Sequence, residues 1–362
     1  MILTVVIIVL TLIILMALHE FGHFILAKWF KIPVEEFGIG YPPRIWGKKI
    51  GDTIYSINWL PFGAFVKILG EDNDTDNPQS FAKQKIWKRA LVLMGGVVSF
   101  WVIAAIIFSF IVSIWGLPAQ VDDQDSVPGA RVLISIVAPK SPAEAVGLMP
   151  YDAIVAVRDA AGQEQKIDKA EQVTIFTEAH KGQPIVLVVQ RNGQIADFAV
   201  VPRVQHSENE GAIGIGLVRA VVVKFPWYEA PYRGVVLTIQ QTKFIAVTTA
   251  KAVASLIRGE QVIGLKLTGP VGVGSIMAQA MGSGINVYLT YVVMITIWMA
   301  IFNLLPIPAL DGGRLLFLGI EAIRRKAVSP KIEQSITGFF FLALVLLMAG
   351  VTIKDVIGLF IK

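Results

Sequence analysis

The stretch LMALHEFGHFILAKW, residues 15–29, constrains this chain more than any other. It lies inside an apolar run from Ile2 to Phe30, and about 20 helical residues suffice to cross the roughly 30 Å of hydrocarbon in a bilayer. Yet two histidines and a glutamate sit in it. Ionisable groups inside a span are costly and functional by default. His19-Glu20-Phe21-Gly22-His23 reads H-E-x-x-H. On a helix, residues four apart share a face, so both imidazoles can reach one metal ion, zinc by preference. Glu20 is offset from that pair but near enough to serve as general base. The bland alternative packs the three polar groups between helices. Against it, the chain has only four histidines, and two of them stand at metal spacing around a glutamate. The run lacks a basic leader region and a small-x-small cleavage site, so it reads as a retained span and not a signal peptide.

The rest of the chain suits a bilayer. Of 362 residues 54% are hydrophobic and only 16% charged, too few charges for a soluble domain of this length. Four runs are long enough to span, at about 2–27, 90–115, 286–308 and 336–361. The net charge of +5 is modest, with no dense basic tract of the kind that binds nucleic acid. The absence of cysteine excludes disulfides and thiol chemistry.

The expected class is an α-helical polytopic membrane protein of four transmembrane helices, with a membrane-associated β-loop region and an inserted α+β domain. The divisions are 1–30, the first span; 31–89, a cytoplasmic or re-entrant β-loop region; 90–115, the second span; and 116–225, an extracytoplasmic region. Then come 226–285, an amphipathic interfacial helix with a connector; 286–309, the third span; 310–335, a cytoplasmic helix; and 336–362, the fourth span. In 31–89, glycines and Pro42, Pro43 and Pro61 forbid a long helix. TIYSINW and AFVKIL alternate like short strands around an LPFG turn, and 71–80 is a polar loop. In 116–225, short β-type runs alternate with turns, and SPAEAVGL reads as a short helix capped by Ser141 and closed by Gly147. EQVTIFTEAHKG reads as a second helix. In 229–259, Gln240, Gln241, Lys243 and Lys251 form a polar stripe, which favours a helix lying in the interface over a fifth span.

Basic residues crowd the 28–89 loop and recur at Arg314, Arg324, Arg325, Lys326 and Lys331. Both loops are therefore expected to be cytoplasmic, with the N-terminus outside. From Met1 to His19 is roughly 27 Å of helix, which puts the metal toward the cytoplasmic half. The third ligand must reach that depth. His180 and His206 lie in the extracytoplasmic region. Asp311, at the cytoplasmic end of the third span in IFNLLPIPALDGGRLL, is the candidate, with helix N-capping as its other reading. Asn303, on the same segment, can hydrogen-bond substrate backbone or a neighbouring helix. The 53–69 segment either adds a substrate strand or is a plain cytoplasmic hairpin. Its apolar character favours the first.

Taken together, these residues resemble the site-2 protease family of intramembrane zinc metalloproteases over nearly the whole chain. HEFGH matches the family's H-E-x-x-H, and NLLPIPALDGG its N-x-x-P-x-P-x-L-D-G block. FGIGYPPRIW and INWLPFGAFVKILGE look like its membrane re-entrant β-loop, and LTGPVGV (267–273) like a further family segment. ISIVAPKSPAEAVGLMPYDAIVAV resembles a PDZ domain, here about 128–205, with GAIGIGL as a closing strand. The nearest branch is the bacterial regulator-of-sigma-E proteases, though this chain has room for one PDZ domain, and Ser99 in GGVVSF stands where the family often has asparagine.

The resemblance implies one Zn2+ per chain held by His19, His23 and Asp311, with Glu20 as general base. Asn303, Ile57, Val66, Gly38 and Gly40 become candidate substrate contacts. It also implies a bacterial inner-membrane location, with the PDZ-like domain outside and the active site toward the cytoplasm. The partners are the lipid bilayer and single-span membrane proteins, of the anti-sigma-factor kind, cut after a first cleavage. An idle PDZ-bearing scaffold, or an enzyme acting mainly on remnant signal peptides, is the alternative. A scaffold would be expected to have lost Glu20 or a ligand, and neither is lost.

Overall fold

In a computed structural model, residues 2–71, 77–191, 193–205, 211–259, 268–326 and 328–360 are described. His206, part of the 71–80 loop and the 260–267 connector lie outside them. The chain divides into two compact units: Met1–Phe108 with Pro231–Ala278 and Tyr291–Lys362, and Ser109–Ala230 with Gln279–Thr290.

In the first unit, α1 (Ile2–Trp29) runs into two long strands, β1 (Val34–Ile50) and β2 (Thr53–Ile68), and then α2 (Ile86–Ile114). Residues 53–68 are thus one continuous strand, where two short strands around a tight turn were expected. Strand across Val34–Ile50 was expected only through the likeness of FGIGYPPRIW to a family β-loop. Each strand is used twice. Phe37–Ile39 lies beside Ala64–Val66 on one side and Tyr55–Ile57 on the other, and Ile54–Asn58 also pairs with Arg44–Lys49. The four segments therefore lie in the order 44–50, 53–58, 36–39, 64–67. Trp59–Gly63 carries the chain around the 36–39 segment, with Gly63 at φ +92°, a left-handed conformation natural to glycine.

Among the described residues, four helices are long and apolar enough to cross a membrane: Ile2–Trp29, Ile86–Ile114, Ile285–Leu304 and Lys331–Gly358. Lipid supplies little hydrophobic drive between helices, so small residues at close contacts decide their packing. A Cβ on Gly22 of α1 would lie 2.2 Å from the Gly95 carbonyl oxygen of α2, and one on Gly95 2.6 Å from that of Gly22. The two backbones meet directly there. Below the crossing, Ala27, Ile32, Val34, Ile68, Val92, Leu93 and Leu318 form a buried cluster that joins helix, sheet and helix.

The second unit holds a seven-stranded sheet in the order β3-β9-β4-β5-β7-β8, with β6 on β5. The strands are β3 (Leu117–Gln120), β4 (Arg131–Val137), β5 (Ala153–Arg158), β6 (Glu164–Lys166), β7 (Ile185–Arg191), β8 (Gln194–Val200) and β9 (Ile215–Val223). Helices α3 (Pro142–Ala145) and α4 (Ala170–Ala179) complete it. Ser141 caps α3 by accepting from Glu144 N–H at 3.2 Å. Alternate residues of β4, β5 and β7 bury Val132, Ile134, Ile154, Leu187 and Val189 beneath Val173 of α4, the period-two pattern of a sheet with one covered face. The sheet runs past 128–205, since β9 pairs with both β3 and β4.

The remaining helices are α5 (Ala230–Ile257), α6 (Pro270–Ser283), α7 (Ile285–Leu304), α8 (Asp311–Arg324) and α9 (Pro330–Phe360). Despite its 28 residues, α5 is not among the four candidate spans. The third span, read as 286–309, ends at Leu304, ahead of Pro306 and Pro308, because proline cannot continue a helix.

Candidate metal centre and active site

α1 places His19 and His23 one turn apart on its buried side, at 4% and 6% exposure. The chain then travels almost the length of the protein before Asp311 comes back to meet them. This return is tight. Cβ atoms on Gly312 and Gly313 would each lie 2.2 Å from a backbone oxygen, of Leu305 and Ile307 respectively. Only glycine lets α8 start so close beneath the LLPIP segment. Asp311 is the first residue of α8 and Leu310 holds the cap position, so the capping reading of Asp311 finds no support.

The donor atoms converge. His19 Nε2 and His23 Nε2 are 3.3 Å apart, and Asp311 Oδ2 lies 3.3 Å from the first and 3.4 Å from the second. A tetrahedral zinc with bonds of about 2.0–2.1 Å separates its ligand atoms by about 3.3–3.4 Å, so the triangle has the right edge. Its chemistry also needs a cation. His23 Nδ1 lies 2.9 Å from the Val92 carbonyl oxygen, which can only accept. The proton therefore sits on Nδ1, and the Nε2 lone pair faces the other two donors. Asp311 Oδ2 and His19 Nδ1 are buried without a hydrogen-bond partner. Three electron-pair donors turned toward one another in a dry site repel unless a cation stands between them.

α2 supplies the wall. Phe100 stacks on His19 at 4.6 Å between ring centroids. Gly96 leaves room for both rings, since a Cβ there would lie 2.2 Å from His23 Nε2 and 2.6 Å from His19 Cε1. Gly96→Ala is expected to fold with a displaced imidazole and a zinc content well below that of the wild type, measured per purified protein. Overpacking of this kind costs about 1–3 kcal/mol. Full zinc in that variant would mean that the rings have slack the structure denies them. Neither glycine was picked out from the sequence as a site residue. The signal was a Gly-Gly pair within a span, which marks close helix approach. Ser99 donates to the Gly96 carbonyl at 2.6 Å.

Glu20 points from α1 toward the sheet. Its Oε2 accepts from the Val66 backbone N–H at 3.2 Å. Tyr41 is close enough that the Glu20 charge, after burial, raises its phenol above the ordinary value. Of the candidate substrate contacts, Val66 is thus beside Glu20. Ile57 lies on an inner segment between Ile39 and Trp46, away from either sheet edge. Gly38 and Gly40 have backbone reasons for being glycine. A Cβ on Gly38 would lie 2.4 Å from the Phe65 ring, and Gly40 has φ +78° with the Leu60 carbonyl 2.7 Å from where a Cβ would stand. The Asn303 side-chain amide donates to Met299 O of its own helix at 2.9 Å. Asp355 of α9, unnoticed in the sequence, accepts from Gly269 and Gly272 N–H at 2.7 and 2.9 Å, joining the last span to the start of α6.

A family model described as Peptidase family M50 matches residues 7–347. The chain belongs to this family, the site-2 proteases. It is similar to a provisionally named zinc metalloprotease of Clostridium perfringens, 32% identical over 343 residues and covering 95% of each chain. It is also similar to the zinc metalloprotease RasP of Oceanobacillus iheyensis, 28% identical over 430 aligned positions that cover 96% of this chain and 97% of the other. RasP of Geobacillus kaustophilus is 25% identical, with coverage of 93% and 94%. As an M50 member with helices long and apolar enough to cross a membrane, this chain is an integral membrane zinc metalloprotease.

Proposed function

We propose that the chain hydrolyses peptide bonds within or near the transmembrane segments of single-span membrane proteins, with one Zn2+ held by His19, His23 and Asp311. The observation that carries this reading is the triangle of three buried donors, 3.3–3.4 Å on each edge, at the end of a spanning helix with Glu20 beside it. Zinc, when bound, supplies a Lewis acid that polarises a carbonyl and makes water acidic enough to attack near neutral pH. Glu20 takes the proton from the attacking water and returns it to the leaving amine. Val92 holds the His23 tautomer. Phe100 and the glycine crossing exclude bulk water.

A peptide bond in a transmembrane helix is shielded by its own hydrogen bonds, and unwound backbone in lipid needs new partners. The 64–67 segment, at the edge of the sheet beside Glu20, supplies them by taking the substrate as an added strand. Basic residues in the 28–89 and 310–335 loops support a cytoplasmic-side active site, with the N-terminus and the PDZ-like domain outside the bacterial inner membrane. The substrate class favoured by the family resemblance is the anti-sigma-factor kind, trimmed by an earlier cut.

The test is to trap substrates on Glu20→Gln in native membranes and identify the single-span proteins that accumulate. Recovery of soluble proteins alone would overturn the reading. The PDZ-like domain is assigned control of access and not chemistry. Its removal together with the rest of the seven-stranded sheet, 117–223, is expected to leave cleavage of a short pre-trimmed reporter intact and to permit cleavage of one that retains its ectodomain. A correctly folded deletion that no longer cuts the short reporter would end the access role.

A further inference from the structure

The Val66–Glu20 hydrogen bond conflicts with substrate pairing at the same edge. Among the described residues, the 64–67 segment has one ladder partner, Glu36–Ile39. Val66 N–H points away from that partner, since it is given to Glu20 Oε2 at 3.2 Å. An added strand lies about 4.7–4.9 Å from the edge, and its carbonyl would take the same outward N–H. One amide proton serves one strong acceptor at a time, so the Glu20 carboxylate occupies the place an incoming carbonyl needs.

We propose that the Val66 amide is a shared donor: it parks Glu20 against the sheet before substrate arrives and exchanges it for a substrate carbonyl when an unwound peptide pairs with the strand. Pairing then releases the base in the same step that positions the scissile bond. A span that stays helical cannot offer its carbonyls, so it leaves Glu20 parked. The backbone of Val66 is a positioning group that acts through Glu20, and no side chain at position 66 takes part. This rests on the strand-pairing reading given above.

The measurement is equilibrium binding by zinc-loaded, full-length protein in detergent. The probe is a fluorescent, lysine-flanked Leu-Ala transmembrane peptide with a central Gly-Ser break. Glu20→Gln and Glu20→Ala are both expected to turn over too slowly to consume the probe, so binding is read without hydrolysis. The glutamine oxygen can still accept from Val66 N–H, whereas alanine cannot. Glu20→Ala is therefore expected to bind the peptide about three- to tenfold more tightly than Glu20→Gln, the worth of one hydrogen bond.

The difference should vanish when the donor is removed, either by Val66→Pro or by replacing Val66 with its α-hydroxy acid, which changes only N–H to oxygen. The second variant answers any misfolding of the first, and such cycles isolate the pairwise contribution. If the two Glu20 variants bind equally while loss of the Val66 donor weakens both, strand pairing stands and the shared donor is overturned. If loss of the donor leaves binding by Glu20→Ala unchanged, strand pairing itself falls, and the proposal with it.

Discussion

Glu20→Gln is expected to keep its zinc and lose cleavage of a single-span reporter by about 10²–10⁴-fold, the usual contribution of a positioned general base. The glutamine has nearly the same shape and still presents an oxygen to Val66 N–H, so neither the α1–sheet contact nor the three-donor triangle should change. What is lost is the ability to accept a proton. Zinc per protein, measured beside reporter turnover in the same preparation, separates the two. Should the variant cleave at the wild-type rate, Glu20 is not the base and the hydrolytic scheme fails.

Asp311→Ala is expected to lose both stoichiometric zinc and activity. A site with three protein ligands tolerates the loss of one poorly, and here the lost group is also the only anion in the triangle. His23→Ala should behave alike. Asp311 is the sharper test, because it lies on a different helix from the histidines and its carboxylate fills no cap. A folded Asp311→Ala protein with full zinc and turnover would send the search for a third ligand elsewhere. The ion pairs nearby offer a control. Arg89 meets Glu321 through two 3.0 Å contacts, and breaking it by Glu321→Gln should loosen α8 without removing a donor atom from the centre.

Much of this protein was legible in the sequence, for physical reasons that differ between elements. A span announces itself because hydrocarbon demands a long unbroken apolar run, and all four candidates could be read from that alone. The histidine pair was legible because i and i+4 fall on one helix face whatever the rest of the chain does. Asp311 was reachable only through the parity of span directions and a motif nearly 290 residues away. The strand across Val34–Ile50 was legible only through a family resemblance and not from its local residues. Its two prolines and three glycines argue against regular structure, and only pairing with β2 makes it a strand. The LPFG segment read as a tight turn for the same reason: the local residues are turn-like, but the chain there wraps around a neighbouring strand.

By itself, the sequence determined the number of spans, the placement of a metal-spaced histidine pair inside the first of them, and the identity of the candidate base and third ligand. The first two and the base are properties of residue type and spacing along one helix; the third ligand needed the parity of span directions and a second motif as well. Only the tertiary structure decided that three donors meet at the edge length of a tetrahedral ion, that Gly22, Gly95 and Gly96 bring α1 and α2 close enough for this, and that the Val66 amide faces Glu20 and not the ladder. Each depends on how closely two backbones approach and on which side of a strand a donor emerges. A one-residue change of register would reverse the latter without altering any local pattern.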